Sequence, residues 1–549
     1  MALPPFFCGI DLGTTNSTVS IIRTERRRDE PMDNLETRPI HQYDEDFHFD
    51  INSKVLPSCI YFDLDNNRVY TGKYAKKMYA SGDRPMQTIR SVKTRIGGES
   101  LVEIPKIGNP AEVEYFDMVQ CSALLIKTIR ESLQKQFNQD VEEAFITVPA
   151  AFNTDERQAT INAAFLSGFK KVGILDEPTA ALLYYINGGE GDLSDDFMSD
   201  EGEYKLVYDI GGGTLDVSIA KVSEDDEGDV EIDIAARSPR MDLGGDDFDQ
   251  YLAAYFLSEF EKSRESIEER SKEDQCRIIA RIVSQAENYK IEMNKAIKQR
   301  LGDPKKLKRL KKYVNFEIIN NMYIQDIVIT KKISDEIFSG LVNGKILKPV
   351  EKSLKDSKLD KSQISEVLIT GGMSNFYAVE EALRRFFGSN IRLIQIDSVT
   401  SVSKGAAIHH YNNYYEKLRK IKLKDRMADD IFIKVGNEFK MFIQRTTKPD
   451  TNGIFKYTIP EDGFADLSVF LYSGTENKPE DFKVLDGKFV PLNRRYKKSE
   501  TIDIKWTLNK NKIISIEIAE LGKKLTIQKN QYYTPDEIGE NFIQKLKIN

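Results

Sequence analysis

GIDLGTTNSTVSI, residues 9–21, decides the fold because a related stretch, YDIGGGTLDVSI, returns at residues 208–219. At a constant offset, Asp11 falls on Asp209, the first glycine of each turn coincides, and Val-Ser-Ile closes both stretches. Each stretch has the pattern of a β-hairpin, with an apolar strand, an Asp, a Gly-rich turn and a second strand. The sequence therefore predicts a duplicated hairpin.

Both predicted turns have the chemistry of a phosphate site. Glycine lets backbone N–H groups approach a phosphate closely. An Asp at the strand end can hold a hydrated Mg²⁺ or a water, and Thr hydroxyls can bond to phosphate or metal. Two such hairpins predict two halves of the protein that grip one nucleotide between them. The alternative, two ordinary glycine turns that join core strands, is disfavoured by the duplication.

The composition is that of a soluble protein with more than one domain. A chain of 549 residues, 40% hydrophobic and 30% charged, is long enough for several globular domains. No apolar run approaches a membrane span, and the first residues lack the features of a signal peptide, so we expect a cytoplasmic protein with no membrane partner. The net charge of −8 gives no reason to expect nucleic-acid binding.

Cysteine and histidine usage gives no sign of a metal centre or a disulfide framework. The four cysteines are scattered without a Cys-x-x-Cys pair, so we expect reduced, buried thiols. With four histidines in the chain, a His-based metal site is not expected. The cysteines are Cys8, Cys59, Cys121 and Cys276.

The order of the predicted elements divides the chain. Strands and helices alternate through residues 1–412, which predicts an α/β architecture of two similar halves. Residues 413–430 are mostly charged and are predicted to be a linker. Short strands with alternating apolar residues predict a separate β-sandwich over residues 431–530. Residues 531–549 open with a cap and a proline, which predicts one short C-terminal helix.

Local signals place individual helices within this outline. Asn153, followed three residues later by Glu156, forms a capping pair that predicts the start of a helix. Helical spacing of apolar residues predicts two longer helices, over residues 117–138 and 273–298.

Several motifs resemble those of the DnaK-type heat-shock chaperones, the 70-kDa heat-shock protein family, and follow that family's order. They are GIDLGTTNS (9–17), ITVPAAFN (146–153), EPTAA (177–181), DIGGGT (209–214), LGGDDFD (243–249) and GG (371–372). FIQRTT (442–447) and LNKNKI (508–513) are more weakly similar. The resemblance implies an actin-like (ribonuclease-H-like) duplicated ATPase domain at residues 1–412, followed by an all-β sandwich that binds extended apolar peptides.

Carried over by position, the resemblance implies a catalytic set in the cleft between the two halves. Asp11 and Asp209 would order the waters of Mg²⁺ and the attacking water. Lys93 would face the γ-phosphate, Glu177 would lie across the metal site, and Thr214 would hold the phosphates. The implied cofactors are ATP or ADP with Mg²⁺, and K⁺ as an optional further ion. The implied ATP contacts, besides Lys93 and Thr214, are Gly13, Thr14, Thr15, Asn16, Gly211, Gly212, Gly213, Gly244, Gly245, Asp246, Glu287, Lys290, Ile291, Asn294, Gly371, Gly372, Met373 and Asn375.

Some of these assignments have ordinary alternatives. Without the resemblance, Lys93 would be interpreted as a surface lysine. Glu287 and Lys290 would contact the ribose and adenine side, but their spacing equally fits a surface ion pair. Pro149 and Arg157 match the family's interdomain relay; read alone, they are a strand end and a helix-surface arginine.

The chain departs from the family pattern at several positions. The arginine expected to stack on adenine is Ile291. The Ser and Arg expected in the second Gly-Gly loop are Met373 and Asn375. An Arg and an Asn that help to receive a J-domain co-chaperone correspond to Gly173 and Asp176.

Two longer segments also depart from the family. The leucine-rich acidic linker is replaced by a mostly charged segment, residues 417–430. The chain ends after one short predicted helix, so we expect no helical lid over the peptide site and faster loss of bound peptide.

The sequence therefore predicts an ATP-dependent chaperone with weak intrinsic ATPase turnover. Its partners would be unfolded or extended polypeptides, with a J-domain co-chaperone and a nucleotide exchange factor as further candidates. A peptide groove would be lined by Phe432, Val435, Leu467 and Val469, although such alternating residues also fit a sandwich core. The main alternative is a module that binds ATP without hydrolysing it and serves as a protein-interaction partner. A sugar kinase of the same fold is disfavoured by the β domain.

Overall fold

The structure, a computed structural model, describes most of the chain. The described parts are residues 4–24, 31–43, 53–66, 68–98, 100–106, 109–188, 202–226, 229–262, 267–319, 322–414, 421–427, 429–474, 482–525 and 548. The predicted C-terminal helix at residues 531–549 lies, apart from Ile548, outside these ranges. No helix within them is both long and apolar enough to cross a membrane.

Lobe I, residues 4–188, is built on a mixed sheet. Its strands are β1 (Phe6–Asp11), β2 (Asn16–Arg23), β3 (Leu35–Thr37), β4 (Leu56–Pro57), β5 (Cys59–Asp63), β6 (Arg68–Thr71), β7 (Thr88–Arg90), β8 (Leu101–Lys106), β9 (Asn109–Asp117), β10 (Glu143–Val148) and β11 (Lys171–Asp176). The main sheet has the order β11-β10-β1-β2-β3, with β4 beside β2. Strands β1 and β2 are the first predicted hairpin, in which Asp11 lies opposite Thr18.

The helices of lobe I include the two that local sequence signals predict. They are α1 (Lys73–Ser81), α2 (Met118–Phe137), α3 (Thr154–Leu166) and α4 (Glu177–Ile186). The Asn153 side chain accepts a hydrogen bond from the Glu156 amide, and the Glu156 carboxylate accepts one from the Asn153 amide, so the predicted capping pair is confirmed. The predicted helix over residues 117–138 is α2.

Lobe II, residues 202–400, repeats the topology of lobe I. Its strands are β12 (Glu203–Ile210), β13 (Leu215–Glu224), β14 (Val230–Arg237), β15 (Lys312–Glu317), β16 (Tyr323–Ile329), β17 (Ile364–Thr370) and β18 (Arg392–Gln395). The order β18-β17-β12-β13-β14 matches β11-β10-β1-β2-β3 strand for strand. In both lobes an antiparallel hairpin continues into two parallel strands. Two similar α/β halves are therefore confirmed.

The helices of lobe II enclose its apolar core, and a last helix returns to lobe I. They are α5 (Gly245–Glu261), α6 (Lys272–Lys298), α7 (Pro304–Lys308), α8 (Lys331–Gly344), α9 (Lys348–Ser357), α10 (Tyr377–Phe387) and the returning helix α11 (Ser401–Tyr414). Helix α11 packs very closely on lobe I. A Cβ on Gly9 would lie 2.2 Å from the Ala407 nitrogen, and one on Gly405 would lie 1.8 Å from the Ala180 oxygen.

One cysteine differs from its predicted environment. Cys8, Cys59 and Cys121 are buried, but Cys276 is exposed. It lies in the first turns of α6, where Ile279 is also 46% exposed. The buried face of this helix begins at Ile278 and does not include Cys276 or Ile279.

The predicted linker is partly a strand. Residues Ile421–Lys424 form β19, which pairs in parallel with β14 at the edge of the lobe II sheet. Its apolar residues pack against the core at the base of the lobes. Lys422 lies 2.6 Å from Asp225, and Lys424 also pairs with an acidic residue of lobe II. The charges of this segment therefore match acidic residues on and near the edge strand, and the alternating apolar residues explain why it can join a sheet.

The β domain is a sandwich of two four-stranded sheets, with orders β21-β20-β23-β24 and β22-β25-β26-β27. The strands are β20 (Asp430–Val435), β21 (Glu438–Ile443), β22 (Thr451–Thr458), β23 (Phe464–Gly474), β24 (Lys483–Tyr496), β25 (Thr501–Leu508), β26 (Ile514–Ile518) and β27 (Lys523–Leu525). These strands lie close to the predicted ones, because the period-two alternation places one face of each sheet in the core.

The four residues predicted to line a peptide groove do not form an open groove in this conformation. Leu467 and Val469 are 0% exposed and belong to the sandwich core. Phe432 is buried beneath Phe482, with ring centroids 4.4 Å apart. Val435 is partly buried against the same core. The alternative reading as sandwich core therefore holds for Leu467, Val469 and Val435, whereas Phe432 is covered by Phe482 and lies outside that core.

Candidate functional site

The two Gly-rich hairpins face each other across a cavity of about 270 Å³ between the lobes. The loop after β1 forms one wall, and the loop after β12 forms the opposite wall. The lining residues that the sequence predicted are Asp11, Gly13, Thr14, Thr15, Asn16, Lys93, Glu177, Asp209, Gly211, Gly212, Thr214, Gly245, Asp246, Glu287, Lys290, Ile291, Gly371, Gly372 and Met373. The duplicated motif thus converges on one cleft.

The glycines of the cleft lie so close to neighbouring atoms that an added side chain would collide with them. A Cβ on Gly212 would lie 1.8 Å from the Thr15 hydroxyl of the opposite hairpin. Gly371 has a φ of 88° and a Cβ there would lie 2.5 Å from a carboxylate oxygen of Asp209. Gly212 thus brings the two lobes close together and Gly371 brings two loops of lobe II together, and such close approach is the requirement for gripping phosphates with N–H groups.

Lys93 is a buried residue of the cleft. Its side chain is 5% exposed and forms an ion pair with Glu177, which begins α4. The surface-lysine alternative is therefore wrong. Burial acts to lower the pKa of Lys93, but Glu177 and Asp11 outweigh it and raise this pKa, so the side chain stays charged.

Carboxylates outnumber cations around this lysine. Burial is the main cause that raises the pKa of Glu177 to about 8 and that of Asp216 to about 6, while Lys93 opposes both shifts. Burial also raises the pKa of Asp11 and Asp209, and neighbouring carboxylates raise that of Asp209 further. Four buried acids around one lysine form a site that would be stabilised by an additional cation.

The residues fit Mg²⁺ held through water. Among the residues described, no group of three or more His, Cys, Asp or Glu side chains is arranged to hold a metal directly. Mg²⁺ often keeps several waters and takes its other ligands from one or two carboxylates and substrate phosphates. Asp11 and Asp209 lie at the ends of β1 and β12, on opposite walls of the cleft, and the Thr147 hydroxyl donates to Asp11 over 3.1 Å, which fixes that carboxylate.

Glu287 and Lys290 line the outer end of the cleft without pairing with each other. Lys290 is 7% exposed and lies 2.8 Å from Asp249, and Glu287 lies 2.6 Å from Lys76 on α1. The alternative, that Glu287 and Lys290 form a surface ion pair with each other, is therefore wrong. Ile291 is 55% exposed and presents an apolar side chain at this end.

Four predicted contacts are not among the residues that line the cavity. Gly213 and Gly244 pack tightly against neighbouring backbone or threonine side chains. The Asn294 amide donates to the Asn375 carbonyl over 3.0 Å, and the Asn375 amide donates to Ser398 over 3.3 Å. These residues shape the walls of the cleft.

Some cleft residues were not predicted. Asp216 lies opposite Asp209 in the second hairpin, but its counterpart at the constant offset is Thr18, so the duplication gave no signal for it. Its place two residues after the Gly-rich turn, on the strand paired with Asp209, was the available clue. The unpredicted residues that line the cavity are Thr18, Val55, Asp249, Ser398, Val399 and Val402.

The comparisons with known proteins agree with this cleft. The family model described as Hsp70 protein matches residues 7–547. The chain belongs to the Hsp70 family. It is similar to the chaperone protein DnaK of Thermotoga neapolitana and of Thermotoga maritima, in each case 28% identical over 523 residues that cover 94% of this chain and 78% of the relative. The predicted resemblance to the DnaK-type chaperones is thereby confirmed at the level of the family.

In this Hsp70 protein, a hydrogen-bonded path leads from the cleft to the end of β11. The amides of Ala150 and Ala151, which follow Pro149, donate to the Asp216 carboxylate in the cleft. Arg157 donates to the Ala150 carbonyl over 3.3 Å and to Asp176 over 2.7 Å. Pro149 and Arg157, predicted from the family's relay, thus lie on one continuous path.

The β domain of this Hsp70 protein meets the path at Asp176. Lys512, in the turn between β25 and β26, lies 2.7 Å from Asp176 and 2.6 Å from Asp425. Arg237 of β14 lies 2.7 Å from Asp176 and also pairs with Asp425. Burial opposes ionisation of Asp176, but Arg157, Arg237 and Lys512 hold its pKa well below its usual range.

Contacts of neighbouring residues extend this docking. The Asn511 side chain accepts a hydrogen bond from the Ile174 amide over 3.2 Å. Ile513 is buried in the apolar core of lobe I. A single turn of the β domain therefore makes ionic, hydrogen-bonded and apolar contacts with lobe I.

Proposed function

We propose that this Hsp70 protein is an ATP-hydrolysing chaperone whose actin-like cleft controls the binding of extended polypeptide by the β domain. The observation that carries the proposal is the buried Lys93–Glu177 pair, enclosed by Asp11, Asp209 and both Gly-rich loops. Burying a lysine among four acids costs folding free energy, and phosphoryl transfer provides a functional reason for such an arrangement.

In the proposed reaction, the protein positions the reactants and balances charge. The two Gly-rich loops hold the phosphates by their backbone amides. Lys93 neutralises charge that develops on the transferred phosphoryl group, and Asp209 with Glu177 orients the attacking water. Bound Mg²⁺ would supply further neutralisation of the phosphates. The turnover is expected to be weak, as in enzymes that use hydrolysis for switching.

Coupling to the β domain is proposed to follow the path that begins at Asp216. A change in the cleft that moves this carboxylate would move the Pro149 turn and then Arg157. Because Arg157 holds Asp176, such a movement would alter the site that receives Lys512. The nucleotide state would then shift the population of docked and undocked β domains.

The proposed clients are unfolded or extended polypeptides. The sandwich presents Val484 and Phe489 of β24 as exposed apolar side chains, 57% and 71% accessible respectively. A J-domain co-chaperone and an exchange factor are proposed as partners on the strength of the family alone.

Single-turnover ATP hydrolysis tests the enzymatic proposal. Lys93→Ala and Asp209→Ala are each expected to slow hydrolysis by about a hundredfold or more, because each removes a group that acts on developing charge. Lys295→Ala, at an exposed lysine of α6, is the matched control and should hydrolyse ATP at the wild-type rate. Unchanged hydrolysis in both cleft variants would refute the assigned mechanism.

A second candidate is an ATP-binding module that does not hydrolyse ATP. The exposed Ile291 at the adenine end of the cleft favours it, because the family's stacking arginine is replaced there. Tight binding of ATP with no hydrolysis, even when an unfolded apolar peptide is added, would decide for this candidate. Peptide-stimulated hydrolysis would decide for the enzyme.

A further inference from the structure

A second and larger cavity lies between the lobes, beside the nucleotide cleft. It encloses about 530 Å³, which is within the size range of small-molecule sites. One wall comes from lobe I, through Tyr79 of α1 and Thr88 and Arg90 of β7. The opposite wall comes from α5 and α6 of lobe II. Asp246 and Asp249 line both this cavity and the nucleotide cleft, so the two spaces adjoin.

The wall from lobe II is largely apolar. Small and aliphatic side chains of α5 and α6 cover it, including Ala253, Ala254, Leu257, Ile279, Ile282 and Val283. Ala254 and Ile279 are exposed to solvent in this structure. Apolar surface of this extent inside a cavity favours a ligand with an apolar body.

Arg90 is the charged group of the cavity that lacks an ionic partner. Its guanidinium carbon lies 4.4 Å from the centroid of the Tyr79 ring, which fixes the group in the wall of the cavity. Within the described ranges, no carboxylate lies within salt-bridge distance of this guanidinium. A fixed guanidinium offers paired N–H donors that suit a carboxylate.

The acidic groups that line the cavity already have partners. Asp246 accepts a hydrogen bond of 2.5 Å from the Ser91 hydroxyl. Asp249 lies 2.8 Å from Lys290. These acids are less available to a ligand than Arg90 is, so the charge pattern selects an anionic head group over a cationic one.

We propose that this cavity binds a small amphipathic carboxylate, with the carboxylate on Arg90 and the apolar body against α5 and α6. Because its walls belong to different lobes, the ligand bridges them. The ligand therefore stabilises the closed arrangement of the lobes and slows the release of nucleotide from the adjoining cleft. This second effect rests on the proposed nucleotide site, whereas the binding itself does not.

Other contacts between the same elements show how closure and the cavity are linked. The Lys76–Glu287 ion pair joins α1 to α6 at 2.6 Å. Arg281 of α6 donates to the Ala80 carbonyl over 3.1 Å, and Arg277 donates to the Gly82 carbonyl over 3.0 Å. Opening of the lobes would break these bonds and also separate the two walls of the cavity.

Titration calorimetry of the full chain with decanoate tests the binding. Decyltrimethylammonium, used at the same concentrations below micelle formation, has an alkyl chain of similar length and the opposite charge. Decanoate is expected to bind, and Arg90→Met is expected to weaken it by about tenfold through loss of a charged hydrogen-bonding group. Ala254→Trp should also weaken binding by filling the cavity from an exposed position. Arg385→Met, at an exposed arginine of α10, should bind as the wild type does.

Release of radiolabelled ADP tests the effect on the cleft. Decanoate is expected to slow release by about fivefold or more in the wild type and to have no effect on Arg90→Met. Equal binding of decanoate by the wild type, Arg90→Met and Ala254→Trp would overturn the site, as would preferential binding of decyltrimethylammonium. Tight binding with unchanged ADP release would overturn the bridging of the lobes. A protein that fails to bind ADP but binds decanoate through Arg90 would refute the nucleotide site and retain this one.

Discussion

Single charged side chains carry most of the specific chemistry of this protein. Asp216 has two roles in the cleft. It contributes to the electrostatic field around Lys93, and it accepts hydrogen bonds from the backbone amides of the Pro149 turn. It is one of the causes that raise the pKa of Glu177 to about 8, after burial and alongside Asp11. Removing its charge should lower the pKa of Glu177.

The variant Asp216→Asn tests this link through the pH profile of ATP hydrolysis. If the Glu177 carboxylate orients water, hydrolysis is lost as pH falls through its pKa. In Asp216→Asn that loss should shift to lower pH, because one repelling charge is gone. Asp226→Asn, at an exposed position in the loop after β13, should leave the profile in place. A profile that does not move in Asp216→Asn would separate this residue from the reacting groups.

A second acid, Glu143, should make stability depend on pH. Its pKa is lowered from 4.5 to about 2, first by His410 and further by Lys171 and Tyr414. A lowered pKa in the folded state adds stability above pH 4.5, and that stability is lost as pH falls towards 2.

Glu143→Gln should therefore lower the free energy of unfolding by about 1 kcal/mol at neutral pH, after allowance for solvent screening. The difference from the wild type should shrink as the pH is lowered below 4.5 and approach zero near 2. Urea unfolding of the wild type and of Glu143→Gln at a series of pH values measures this difference. A difference that stays constant down to the acid limit would contradict the assigned role.

At the scale of secondary-structure elements, α11 packs so closely on lobe I that no space remains for an added side chain. Gly405→Ala would place a Cβ 1.8 Å from the Ala180 carbonyl oxygen of α4. The helices would have to separate, so we expect the ATPase lobes to lose about 2 kcal/mol or more of unfolding free energy. Gly302→Ala, where a Cβ meets nothing within 4 Å, is the control and should change stability by less than about 0.5 kcal/mol. Similar midpoints of denaturant unfolding in both variants would argue against the tight contact.

Local sequence signals predicted the elements best. The duplicated hairpin, the capping pair Asn153–Glu156 and the alternating strands of the sandwich all depend on neighbours in sequence, and the structure has each of them. Strand β19 was missed because its alternation is short and its lysines resemble those of a linker. Its acidic partners in lobe II are almost two hundred positions earlier in the chain, and pairing over such a separation leaves no local pattern.

In the functional site, too, the features with a local sequence signal were predicted, and those that depend on tertiary contacts were not. The Gly-rich loops and the Asp at the end of the first strand of each hairpin were predicted from the motif. The burial of Lys93, the partners of Glu287 and Lys290, and the place of Asp216 depend on how the lobes face each other. The burial of Leu467 and Val469 could not be distinguished from a groove by alternation alone, because both require an apolar face.

At the scale of the whole molecule, one turn of the β domain decides how the domains are arranged. Lys512→Ala would leave Asp176 and Asp425 with fewer cations in a buried cluster, which should weaken docking by about 3 kcal/mol. Small-angle X-ray scattering should then show a larger radius of gyration at a fixed nucleotide state. Lys510→Ala, two residues earlier and exposed, is the matched control and should scatter as the wild type does. Equal radii for wild type and Lys512→Ala would show that the cluster does not hold the domains together.

The exposure of Cys276 gives direct access to such movements. Burial raises the pKa of the Cys59 thiol to about 11 and that of Cys121 to about 12, and it also raises that of Cys8. Because the thiolate is the reactive form, these three should resist alkylation while the native fold persists. The natural chain therefore carries its own selective labelling point on lobe II. A fluorophore placed there, together with one on an engineered cysteine in the β domain, would turn domain separation into a change of energy transfer in single molecules.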